Sequence, residues 1–164
     1  SYTITHPCAW DFIEINKRLL SLVKVSDAFI FGSLVSRNKQ SETTLKKLLT
    51  LSSFAVFDVN LRPPHYTIDV LTNLMKAAHF IKFNDDELIE ICTSLGVTLK
   101  TIEDQVQFIA SHTTTQNICV TQVSKGPVLF YEGTFFYNDG YVVKVADTVG
   151  SGDSFLATLI DALL

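Results

Sequence analysis

The sequence is poor in the features that would place it in several common classes. It has only three cysteines, Cys8, Cys92 and Cys119, far apart and without a C-x-x-C pair. That spacing excludes a disulfide framework and a zinc ribbon, and it fits thiols in a reducing compartment. The four histidines, His6, His65, His79 and His112, do not cluster with cysteine at zinc spacing. Neither sign of charge dominates: 13 Lys and Arg face 17 Asp and Glu, for a net charge of −4. Such a balance gives no electrostatic reason to expect nucleic acid or an anionic membrane as partner. No apolar run approaches the length of a membrane span, and the first residues lack a basic start followed by an apolar stretch. A cytoplasmic protein is the expectation. A nucleotide-binding G-x-G-x-x-G is also missing after the first strand-like run, which disfavours a dinucleotide-dependent dehydrogenase.

What the sequence does have is a globular composition, 47% hydrophobic and 18% charged over 164 residues, enough for one domain with a real core. Helix-like and strand-like segments alternate. Residues 9–23 read as a helix with Trp10, Ile13, Leu20 and Val23 near one face, followed by the apolar run 28–31 stopped by Gly32-Ser33. Leu45, Leu48 and Leu49 have helical spacing, whereas 54–59 is apolar at almost every position, as a strand buried on both faces should be. Leu71, Leu74, Met75 and Ala78 predict another helix and 80–83 another strand. Leu88, Ile91, Cys92 and Leu95 continue the alternation, then Ile102, Val106, Ile109 and Ala110, then a strand over 117–121. This order predicts a parallel sheet with helices on both faces. Three short β-rich runs follow, 128–131, 134–137 and 141–145, broken by Glu132-Gly133 and Asn138-Asp139-Gly140. Those breaks are turn chemistry and predict an antiparallel meander. A last helix begins near Gly150-Ser151-Gly152 and is still apolar at Ala162-Leu163-Leu164, so the chain reads as a fold cut before its end.

Polar or small residues stand just past the expected strands: Gly32-Ser33, Asn60 and Arg62, Asn84, and Thr121-Gln122. Singly these are ordinary loop and cap residues. Together on one edge they favour a ligand site, because open α/β sheets bind ligands outside the carboxyl ends of their strands.

The strongest local signal is Asp147-Thr148-Val149-Gly150-Ser151-Gly152-Asp153. Glycines at a helix start allow close backbone approach, and the first-turn N–H groups with the helix dipole favour an anion there. An aspartate beside that anion suits phosphoryl transfer: backbone donors hold charge, and the carboxylate receives a hydroxyl proton. A plain capped helix explains the same spacing. Asn84-Asp85-Asp86-Glu87 reads as a capping box with added acid in the first turn. In Asp58-Val59-Asn60-Leu61-Arg62-Pro63-Pro64, Arg62 either contacts an oxyanion or sugar oxygen through its planar fork or pairs with a nearby carboxylate.

The string 147–153 resembles the D-T-x-G-[AS]-G-D signature of the PfkB (ribokinase-like) carbohydrate kinases, and the resemblance extends over nearly the whole chain. It implies an α/β ribokinase-like fold in which 1–164 is a single, partial domain lacking the N-terminal sugar-binding and lid part and the C-terminal end. It implies ATP-dependent phosphorylation of a sugar hydroxyl, with Asp153 as base and Gly150, Ser151 and Gly152 as anion hole. Thr148 would shape the loop with Asp147, and a monovalent cation occurs nearby in some relatives. Asn84 and Glu87 match an N-x-x-E motif that helps position Mg²⁺ and the ATP phosphates through water, with no direct metal ligand. Residues 58–64 are similar to the D-x-N-x-R-P segment of fructokinases and 2-keto-3-deoxygluconate kinases, which makes Asn60 and Arg62 substrate-binding candidates. Together with Ala9-Trp10-Asp11, this string leans the reading to fructokinase. Relatives carry T-x-G-x-x-G where this chain has Thr121-Gln122-Val123-Ser124-Lys125-Gly126. Thr121 and Gly126 stay nucleotide-site candidates, while Val123 brings β-branched bulk where glycine is usual. The alternatives are a kinase for 2-keto-3-deoxygluconate, ribose or a nucleoside, and a non-catalytic pseudokinase or assembly module. With the lid and sugar-binding parts missing, the chain alone is expected to be inactive, and a homodimer is compatible with the family.

Overall fold

A computed structural model describes residues 4–122, 125–140, 144 and 147–164. Among the described residues six strands form one sheet in sequence order: β1 (Phe29–Gly32), β2 (Ala55–Asp58), β3 (Phe80–Asn84), β4 (Asn117–Thr121), β5 (Val128–Tyr131) and β6 (Thr134–Tyr137). The first four run parallel, and β4, β5 and β6 form an antiparallel meander. Of the third expected run, 141–145, only Lys144 is described; the others and Val123 lie outside the described residues.

The helices are α1 (Lys17–Val25), α2 (Lys39–Leu49), α3 (Ile68–Ala77), α4 (Asp85–Ser94), α5 (Ile102–Thr113) and α6 (Ser151–Leu163). Each parallel crossover that is right-handed and leads to the next strand over places its helix on the same side of the sheet. Accordingly α2 to α5 share one face, where Leu45, Leu71, Met75, Leu88, Ile91, Val106 and Ile109 pack on Phe31, Phe57, Ile81, Phe83, Ile118 and Val120. The opposite face is covered by α6, whose Leu156 and Ile160 pack on Val56, Phe80 and Cys119. Every residue of β2 is buried, as its unbroken apolar run requires. Among the described residues no helix is long and apolar enough to cross a membrane.

The single helix expected over residues 9–23 is corrected. Ala9–Phe12 is one 3-10 turn, and α1 starts only at Lys17, with Asn16 Oδ1 accepting from the Leu19 amide at 2.9 Å. Side chains of α2 claim the intervening backbone. Ser41 Oγ donates to Trp10 O (2.8 Å) and accepts from the Ile13 amide (2.9 Å), and Thr44 Oγ1 donates to Ile13 O (2.7 Å). Those groups are therefore unavailable to a helix ladder. The turn is further anchored by a buried fork-to-fork pair, with Arg37 Nε and Nη2 donating to Asp11 Oδ1 and Oδ2 at 2.7 and 2.8 Å. The Arg37 guanidinium holds the Asp11 carboxyl well below the usual carboxylate range.

Candidate active site

The parallel register puts Gly32 opposite Asp58, Asp58 opposite Lys82, and Asn84 opposite Thr121. The polar residues noted past the strands therefore emerge along one edge, the carboxyl edge of the sheet. Asn60 turns the chain there in the left-handed region, at φ 41°, which asparagine tolerates better than most residues.

Above this edge stands the start of α6. Asp147 Oδ1 accepts from the Val149 amide (3.0 Å), closing a tight turn before the helix. Ser151 donates its amide and its hydroxyl to Thr148 O, at 3.2 and 2.7 Å. Gly150 is the N-cap residue in the left-handed region (φ 76°), a conformation glycine adopts without steric cost. Helices α1 to α5 each have an N-cap side chain, from Asn16, Asn38, Thr67, Asn84 and Thr101. The α6 cap has none. The amides of Gly152 and Asp153 have no recorded acceptor among the described residues, so they remain available to an anion.

Between helix and edge lies a cavity of about 520 Å³ lined by Asp58, Asn60, Arg62, Lys82, Thr148, Val149, Gly150, Gly152 and Asp153. It brings together six of the residues singled out from the sequence: Asn60, Arg62, Thr148, Gly150, Gly152 and Asp153. Asp153 is exposed and makes no ion pair among the described residues. Arg62 likewise pairs with no carboxylate there; its Nη1 donates to Leu61 O at 3.0 Å.

Two lining residues, Asp58 and Lys82, were not among the sequence candidates. Both are more than nine-tenths buried, and Lys82 Nζ donates to Asp58 Oδ1 at 3.1 Å. The signal was present: a lysine inside the apolar run 80–83 must find a carboxylate when buried.

The remaining candidates lie outside the cavity lining. Asn84 and Glu87 form the expected capping box: Asn84 Oδ1 accepts from the Glu87 amide (2.8 Å) and Glu87 Oε2 from the Asn84 amide (2.9 Å). Glu87 Oε1 accepts from the Leu61 amide at 2.9 Å, and burial pushes its carboxyl up from the ordinary glutamate value. Thr121 Oγ1 donates to Phe83 O at 3.3 Å. Gly126 has a local structural reason: at φ 74°, a Cβ there would fall 1.9 Å from Asn138 O.

The cavity fits the phosphate portion of a nucleotide, since helix amides, an ammonium and a guanidinium converge on it. It does not fit a resident divalent cation held directly by protein. Both Glu87 oxygens serve backbone amides, and among the described residues no three His, Cys, Asp or Glu cluster as ligands.

The model for pfkB family carbohydrate kinases matches residues 10–164. An uncharacterized sugar kinase of Pyrococcus horikoshii is 28% identical over 173 aligned positions, covering 100% of this chain and 51% of that protein. Its structure in complex with ATP superposes with a TM-score of 0.78. The fructokinase of Vibrio alginolyticus is 29% identical over 138 positions, 80% of this chain and 43% of that one. A Vibrio cholerae fructokinase structure with fructose, ADP and calcium bound is 21% identical, covers 94% of this chain and 50% of that one, and has a TM-score of 0.76, a likeness of fold. The chain thus spans about half the length of the curated relatives it matches. With the motif, the sheet order and the match over 10–164 in agreement, the chain belongs to the pfkB family of carbohydrate kinases.

Proposed function

We propose that the cavity under α6 serves ATP-dependent phosphorylation of a sugar hydroxyl, with fructose as the favoured acceptor. One observation carries this reading: the uncapped start of α6, with Asp153 in its first turn, lines the same cavity as Arg62 and Lys82. ATP supplies the phosphoryl group. The amides of Gly152 and Asp153 hold its oxygens, while Gly150 and Ser151 keep the turn that presents them. Asp153 orients the acceptor hydroxyl and takes its proton as the new oxygen–phosphorus bond forms and ADP leaves. A weakly basic carboxylate suffices because a loose transition state needs little early deprotonation.

Arg62 and Asn60 are assigned to the acceptor and Thr148 to the nucleotide side of the loop. Asn84, Glu87, Thr121 and Gly126 act as the frame that fixes the edge on which the nucleotide rests. Fructose is favoured by the segment 58–64 and by relatives named fructokinase.

The test is calorimetric titration of the chain with ADP, followed by sugar-dependent transfer from ATP to fructose, 2-keto-3-deoxygluconate, ribose and a nucleoside. The reading expects ADP binding by the chain and only slow transfer at this length. Absence of ADP binding overturns it. Rapid turnover by the 164 residues alone refutes the assignment of low activity, and a better acceptor in the panel replaces fructose.

A further inference from the structure

Two buried donors without partners stand side by side on the 3-10 turn Leu34–Arg37. Arg37 Nε and Nη2 are spent on Asp11, and Nη2 also donates to Thr5 O at 2.8 Å. Its Nη1 has no acceptor among the described residues, although the side chain keeps only 3% of its exposure. The hydroxyl of Ser36, a residue 7% exposed, is in the same condition. A buried donor left unmatched costs stability, and native proteins carry few of them. Here both residues line one cavity of about 420 Å³, between this turn and the start of α3.

The rest of the lining has the same polarity. His6 and His65 bring imidazoles, each of which donates through a ring nitrogen in either tautomer. Thr67 Oγ1 accepts from the Val70 amide as the α3 N-cap, which leaves its own O–H to donate. Thr67 and Val70 both line the cavity, so the positive end of the α3 dipole lies beside it. Among the described residues no carboxylate lines it. Asp11 is occupied by Arg37 and the Cys8 amide, Glu90 is held by the Tyr66 hydroxyl, and Asp69 is exposed. Donors converge here without acids, and the ligand that matches them is rich in acceptors.

We infer that this cavity is a second ligand site, which binds a small oxyanion, phosphate or carboxylate, on Arg37 Nη1, Ser36 Oγ and the imidazoles of His6 and His65. The site is separate from the one under α6, since the two cavities have no lining residue in common. They adjoin through one turn, closed by the His65 amide donating to Arg62 O at 2.8 Å, with His65 in one cavity and Arg62 in the other.

The experiment follows the histidine side chains by heteronuclear NMR while inorganic phosphate, and separately citrate, is added to the chain at constant pH and ionic strength. His79 and His112 do not line the cavity and serve as internal references. No histidine lines the cavity under α6, so phosphate held there does not move the reporters by contact. Saturable shifts are expected at His6 and His65, with His79 and His112 unmoved, and the tighter of the two anions names the ligand class. Ser36→Ala removes a hydroxyl that has no partner, so the fold is kept while affinity should fall about three- to tenfold. The double variant Arg37→Met with Asp11→Asn replaces the buried pair by neutral groups, a change such pairs often tolerate, and thermal denaturation checks that it is folded. It should bind at least about tenfold more weakly than wild type.

Three results overturn the inference: no saturable shift at His6 and His65 with either anion, equal shifts at all four histidines, or unchanged affinity in either folded variant. The kinase reading stands or falls elsewhere. Loss of this site leaves ADP binding under α6 untouched, and absence of ADP binding leaves the shifts at His6 and His65 as they are.

Discussion

Glu87 binds the backbone amide of Leu61, 26 residues earlier, with one carboxylate oxygen, and the amide of Asn84 with the other. One buried side chain thus ties the segment after β2, which carries Asn60 and Arg62, to the end of β3, which carries Lys82 and Asn84. The spacing of cavity-lining groups on two strands depends on it.

Replacing Glu87 with Gln leaves one oxygen for two amides, so one N–H faces an amide nitrogen. A buried unsatisfied donor costs about 1–3 kcal/mol, partly offset here by no longer burying a charge. Glu87→Gln should lower stability by about 1 kcal/mol in urea denaturation. It should also weaken ADP binding, because the edge loosens.

Asp153→Asn keeps the size and hydrogen-bonding reach of the side chain but cannot accept a proton. In any form of the protein that turns over, the rate should fall by about 10²- to 10⁴-fold, with ADP affinity changed by less than about threefold. Steady-state kinetics and calorimetry on the same preparation separate the two effects.

Gly126→Ala tests whether this glycine matters through its backbone packing. The added methyl collides with Asn138 O, and the φ of 74° disfavours any L side chain. A loss of about 1–3 kcal/mol in thermal or chemical denaturation is expected. Loss of ADP affinity without loss of stability would give the position a role at the nucleotide instead.

Asp11 sets a pH dependence. Its folded pKa lies below the unfolded value, so the pair with Arg37 contributes stability that is present above about pH 4 and lost as pH falls through the folded value. Glu87 acts with the opposite sign: its raised pKa makes a contribution that is present at low pH and lost as pH rises through the folded value. The difference in melting temperature between wild type and Asp11→Asn should therefore hold steady from pH 7 to about pH 4 and begin to shrink between about pH 4 and pH 3. A constant difference would count against the linkage.

The elements that were legible in the sequence are those whose reasons are local. The unbroken apolar run of β2, the turn pairs around β5 and β6, and the capping box at Asn84 all carry their cause within a few residues. The α6 turn was legible because its glycines and aspartates are contiguous. What escaped was fixed at a distance. The backbone of 10–13 is held by Ser41 and Thr44, so helical periodicity over 9–23 was misleading. Lys82 read as one polar interruption of a strand until the register placed it beside Asp58, 24 residues away. The clamp of Glu87 on Leu61 was hidden behind the nearer cap, since nothing in N-x-x-E spacing names a second amide across the sheet.

The strictly sequential strand order has a consequence for how the chain assembles. Among the six described strands each docks on the one made just before it, so none of their positions must be held open for a later one of the six. Pairing can advance from β1 towards β6 as the polypeptide leaves the ribosome, with an already seated neighbour awaiting every new strand. Helix α6, laid across the opposite face, seats on β2, β3 and β4 only once they are in place, and that step closes the cavity between the helix and their edge.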